Sequence, residues 1–173
     1  GYHVLEVDST DVSVRFKAAG KPADFQMRIM YDVMHHQQRK DAIRDSLHGA
    51  TLDGFMSEDE VAAASILVNL FDGGPKSKVS YRVNDGDYIP MERVLRTDPY
   101  IVEQFQRYES VKKSWVQATD STHIFSADLD DSISRGTHTV TVRAIDEFGR
   151  VHHGHSILEI TGGMRGTEAA VKY

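Results

Sequence analysis

The chain has 173 residues, with 26 acidic against 20 basic side chains for a net charge of −6, 13 Gly, 4 Pro, no Cys and nine His. That length suits one ordinary domain or one domain with a short appendage, and 40% hydrophobic with 27% charged residues excludes collagen-like and wholly disordered classes. The acidic balance argues against a broad nucleic-acid surface. No apolar run is long enough for a membrane span, and the lack of Cys removes disulfides and thiolate metal sites without fixing the compartment.

In chain order, residues 2–8 and 12–17 alternate with period two about Ser9-Thr10-Asp11 and predict a β-hairpin. After Ala19-Gly20-Lys21-Pro22, Phe25, Met27, Ile29 and Tyr31 lie on one face of a third, half-buried strand, with Gln26 and Arg28 on the other. Residues 33–60 lose the pattern and read as a polar connector that includes His35-His36, with a short helix where Ser57 and Glu60 have capping-box spacing. Ser65 to Phe71 is an apolar run typical of a buried strand and ends at Asp72-Gly73-Gly74-Pro75. Lys78 to Asn84 alternates again, and the glycine-rich loop between these two strands makes them expected neighbours. Asp98-Pro99 is a strong helix start, a capping carboxylate followed by a proline that loses only an amide without a partner. Ile101, Val102, Phe105 and Tyr108 follow at helical spacing, which makes Phe105 and Tyr108 candidate core residues.

Three more strands are expected at His123 to Leu129, Thr137 to Ile145 and Arg150 to Ile160. The last two are joined by Asp146-Glu147-Phe148-Gly149, with Gly where a positive φ is needed. The tail from Gly162 loses the apolar pattern. The expected organisation is a strand segment and connector over 1–60, a β-sandwich over 61–161 with one short inserted helix, and a tail over 162–173.

The segments Val68-Asn69-Leu70-Phe71-Asp72-Gly73-Gly74-Pro75, Arg96-Thr97-Asp98-Pro99-Tyr100, Lys112-Lys113-Ser114-Trp115-Val116 and Val142 to Arg150 resemble, in this order, the C-terminal domain of bacterial calcineurin-like metallophosphoesterases. Gly1 to Asp8 and Phe25 to Ile29 are similar to the segment joining the catalytic domain to that domain. The resemblance implies a mainly β, immunoglobulin-like sandwich that supports or edges an upstream catalytic domain, its partner, in which two divalent metals clamp phosphate and activate water. The abrupt start at Gly1-Tyr2-His3-Val4 fits a piece of a longer protein, and its first strands, if they normally pair with the missing domain, leave an exposed edge for self-association.

The family's metal motifs are missing here. Asn69 and Asn84, the only two Asn, are followed by Leu70 and Asp85, so no Gly-Asn-His element exists. No Asp has His two positions later, Gly154-His155-Ser156-Ile157 lacks the second His of its motif, and Gly86-Asp87 lacks the later Asp. No catalytic residue is therefore assigned to this chain.

Two other readings remain. His153 and His155 fall on one strand face, workable for two imidazole ligands, but a metal site needs a third and usually a fourth. Tyr88, Tyr100, Phe105, Tyr108 and Trp115 form an aromatic-rich stretch that could stack on a sugar or cell-surface polymer. Trp115, beside Lys112 and Lys113, is the candidate exposed contact residue, and Lys76 and Lys78 are candidates to lie near an anionic substrate at a domain boundary. The loop from Asp72 to Lys78 lacks phosphate-loop spacing, and Pro75 removes an amide donor.

Overall fold

A computed structural model describes residues 1–33, 50–51 and 54–162. His35-His36, most of the expected connector and the tail beyond Gly162 lie outside the described residues.

Eleven strands and two helices are described. They are β1 (Tyr2–Asp8), β2 (Asp11–Lys17), β3 (Met27–Asp32), β4 (Ala50–Thr51), β5 (Phe55–Ser57), α1 (Glu58–Val61), β6 (Ser65–Leu70), β7 (Lys78–Val83), β8 (Ile89–Thr97), α2 (Pro99–Arg107), β9 (Asp120–Asp128), β10 (Gly136–Ile145) and β11 (Val151–Thr161). The strands β1 and β2 form their own two-stranded sheet, while the other nine follow the order β4-β3-β6-β9-β8-β7-β10-β11-β5. All neighbours are antiparallel except β11 with β5.

The nine strands make two layers because β8 serves both. Its first residues, Ile89 to Met91, pair with β7, and the stretch from Glu92 to Thr97 pairs with β9 with a shift of register between Val94 and Arg96. Between the layers lies the main core, in which Met27, Tyr31, Ile66, Val68, Leu70 and Phe125 of one layer meet Val79, Tyr81, Val140, Val142, Leu158 and Ile160 of the other. The run at Ser65–Leu70 is nearly continuous because both faces of β6 are covered. Ile66, Val68 and Leu70 enter the main core, while Leu67 joins Met30 and Ile124 in a second cluster against Val94 and Tyr100. Burying such aliphatic side chains contributes about 1.5–3 kcal/mol each.

Two expectations are corrected. First, β6 and β7 are not neighbours: β6 lies between β3 and β9, whereas β7 lies between β8 and β10. The loop at Asp72-Gly73-Gly74-Pro75 crosses from one layer to the other. Second, Tyr108 is 55% exposed and Phe105 only half-buried. The helix is fastened at its first turn, where Asp98 caps the Tyr100 amide at 2.9 Å and Tyr100 packs on the second cluster, so helical spacing alone does not bury its far end. The strand β8 and the two short strands β4 and β5 are additions to the expected pattern, as is Met56 of β5 in the main core.

The short helix α1 begins as its spacing predicts, with the Glu60 carboxylate accepting from the Ser57 amide at 2.8 Å and the Ser57 hydroxyl at 2.9 Å. Just before it, Gly54 has φ +68°, and a Cβ there would lie 2.2 Å from the Ile157 carbonyl oxygen. Gly54→Ala should lower stability by about 1–3 kcal/mol, read as an earlier urea midpoint, because both the dihedral angle and the backbone contact oppose a side chain. No described helix is long and apolar enough to cross a membrane.

Candidate functional site

A cleft of about 230 Å³ opens where the β1–β2 hairpin meets the β6–β7 loop and the β10–β11 turn. Phe16 of the hairpin stacks at 5.1 Å on Phe71, which in turn lies 5.4 Å from Phe25. Gln26 donates to the Phe16 carbonyl at 2.9 Å and to the Ala23 carbonyl at 2.7 Å. Asp72 adopts φ +61°, a left-handed conformation that Asp tolerates better than most residues, and its carboxylate meets His3 Nε2 at 2.8 Å. A tight turn in the β6–β7 loop therefore presents the group that holds the start of the hairpin.

The opposite wall is the β10–β11 turn. Gly149 has φ +80°, as the turn sequence predicts, and its amide donates to the Asp146 carbonyl at 3.0 Å. The Asp146 carboxylate gathers four donors: the amides of Phe148 and Arg150, both at 2.9 Å, Arg150 Nε at 2.6 Å and His152 Nε2 at 3.1 Å. Burial opposes its ionisation, but the bonds from His152, from the Arg150 side chain and amide and from the Phe148 amide outweigh it. They hold the carboxyl below its ordinary 3.8. The rest of the Arg150 guanidinium reaches across the cleft, where Nη2 donates to the Val14 carbonyl at 2.6 Å. One carboxylate thus orients the cation that docks the hairpin.

Two of the cleft's carboxylates face basic side chains, Asp72 toward His3 and Asp146 toward Arg150 and His152. Glu147 accepts from the Lys76 amide at 3.2 Å, and its carboxylate fills the space in which a Gly74 side chain would lie. A carboxylate held ionised by four donors is a poor general acid or base. The chemistry here is that of a clamp between hairpin and sandwich.

The residues singled out in the sequence are dispersed. Lys76 and Lys78 are exposed near the β10–β11 turn, with Lys78 paired to Ile145. Trp115 lies beyond α2, 76% exposed, with Lys113 Nζ 5.7 Å from its ring. Tyr88 is flanked by Arg82 and Arg143 at 5.1 and 4.9 Å, and Tyr100 lies 3.6 Å beneath the Arg28 guanidinium. His153 and His155 are exposed on β11, opposite Arg143 and Thr141, and His155 Nδ1 is 3.4 Å from the Thr141 hydroxyl. Among the described residues no three His, Asp or Glu side chains are grouped to hold a metal, so the metals implied by the resemblance find no donor set in the described part of this chain. The residues that sequence reasoning missed are His3, Asp72, Asp146, Arg150 and His152. The alternation of Asp146, Arg150 and His152 about a predicted turn was the available signal.

A mainly β domain of two packed layers, with an N-terminal hairpin clamped across one end, is the class that fold and site define. Residues 1–152 match the model of the family described as the C terminal of calcineurin-like phosphoesterase. The chain belongs to that family. Comparison with curated proteins and with solved structures returned no match.

Proposed function

We propose that the chain is a non-catalytic accessory domain that supports or edges the catalytic domain of a metal-dependent phosphoesterase. The family match over residues 1–152 carries this reading. The cleft supports it, since the His3–Asp72 pair and Arg150, oriented by Asp146, are engaged in joining hairpin to sandwich. On this reading the hydrolytic metals are held upstream, and Lys76 and Lys78, exposed beside the β10–β11 turn, belong to the contact surface. The sandwich is read as immunoglobulin-like on the family resemblance, with its layers β4-β3-β6-β9-β8 and β8-β7-β10-β11-β5 adding the short edge strands β4 and β5 to a seven-strand pattern.

Deleting the domain from the longer phosphoesterase tests the role. The expected product keeps its bound metal per molecule but has a lower thermal midpoint or altered kcat/KM. Loss of the metal on deletion, with the remainder still folded, would overturn the reading. The exposed Trp115 ring favours a second reading, stacking on a glycan; a glycan array without binding would remove it.

A further inference from the structure

We infer that the tip of the β1–β2 hairpin is the surface on which the preceding phosphoesterase domain docks. This deepens the accessory-domain reading and rests on it. In the hairpin register His3 faces Phe16, Leu5 faces Val14 and Val7 faces Val12. With side chains alternating at period two, these six residues share one face. The opposite face carries Glu6, Asp8, Asp11, Ser13, Arg15 and Lys17 along with Tyr2 and Val4, and Glu6 lies 3.9 Å from Arg15.

The apolar face is covered only in part. At its base Phe16 lies on Phe71, His3 on Asp72, and the Val14 carbonyl receives Arg150. Toward the turn the same ladder runs on uncovered, with Leu5 60%, Val7 62% and Val12 53% exposed. Phe148, 52% exposed on the β10–β11 turn, borders the cleft that Val14 also lines and extends this surface. A two-stranded hairpin is at best marginally stable by itself, and an amphipathic ladder covered at one end and bare at the other calls for a second body.

Two observations select the occupant. The bare ladder is continuous with the covered one, so whatever sits there sits beside the hairpin base. The family is described as the C terminal of calcineurin-like phosphoesterase, so on the accessory-domain reading the catalytic part precedes the matched segment, of which the hairpin is the first element. Leu95, Tyr108, Val111 and Trp115 are also exposed, but nothing comparable names what would cover them.

The test compares amide exchange in the longer protein and in this chain alone, with phosphoester hydrolysis in the presence of Mn measured in parallel. Amides of residues 5–12 should exchange at least about tenfold more slowly in the longer protein. Leu5→Asp, Val7→Asp and Val12→Asp together should abolish that protection, while the thermal midpoint of the isolated variant chain stays at the wild-type value. A longer protein that hydrolyses phosphoesters yet leaves residues 5–12 as fast as in the isolated chain overturns the docking surface and leaves the accessory reading standing. Protection of residues 108–116 in place of the hairpin does the same. Protection that rises with concentration in the isolated chain assigns the tip to a second copy and overturns the proposal. A longer protein without metal-dependent hydrolysis overturns proposal and reading together.

Discussion

Replacing Asp98 with Ala should cost about 3 kcal/mol of stability, seen as an earlier urea midpoint with an unchanged slope. Asp98 is 2% exposed and performs three tasks at once. Its Oδ1 caps α2 by accepting from the Tyr100 amide at 2.9 Å, and its Oδ2 accepts from Asn69 at 2.5 Å and pairs with Arg28 at 3.4 Å. Removing one member of a buried ion pair leaves the other charge uncompensated, which costs about 3–5 kcal/mol when both are fully buried. The lower end applies because the Arg28 side chain is 23% exposed and retains its stacking on Tyr100 at 3.6 Å. Asp98→Asn separates the tasks: Asn caps helices nearly as well as Asp, so it should recover about 1 kcal/mol of the loss. Equal stability of wild type and Asp98→Ala would mean that α2 is not fastened through its cap.

Asp146→Ala should cost about 2 kcal/mol, in the range for hydrogen bonds to a charged group, and should loosen the hairpin as well. Without the carboxylate, Arg150 loses the bond at 2.6 Å that aims it at Val14, and His152 loses its partner. Hairpin amides should therefore exchange faster in the variant, which loss of the turn alone would not produce. The pH dependence has a definite sign. Because the folded-state pKa is depressed, the contribution of Asp146 is complete above the ordinary carboxyl value of 3.8 and is lost as the pH falls through the lower folded value. Wild-type stability should fall in that acid range, and Asp146→Asn should show a shallower fall.

The sequence makes much of the architecture legible because the physics is local. Period-two alternation locates β1, β2, β3, β7 and β10, and Asp98-Pro99 locates the start of α2 within a residue. What escapes is set by tertiary context. In β8, Pro90, Glu92, Arg93 and Arg96 mask the alternation, and the strand changes layers, so that Met91 faces the main core while Val94 faces the second cluster. No single inward face exists for a pattern to show. Loop length also cannot distinguish a hairpin from a crossing between layers, which is why β6 and β7 read as neighbours.

The clamp is less legible in the sequence than the fold. Asp72 and His3 are far apart in sequence and meet only because Phe16 and Phe71 bring hairpin and loop together. Asp146 reads as a turn former, which it is, and its second task depends on Arg150 reaching a carbonyl on β2. Trp115 is a contact residue by its type, and it is exposed, but neither its neighbours nor its position connects it to the cleft.

The most direct test of the central claim is hydrolysis by the purified 173-residue chain, without a His tag, of a phosphomonoester and a phosphodiester in the presence of Mn or Zn. The account predicts turnover indistinguishable from buffer with metal, while the longer phosphoesterase is active in the same assay. Metal-dependent turnover that stays with the isolated chain at constant specific activity through successive purification steps would contradict it.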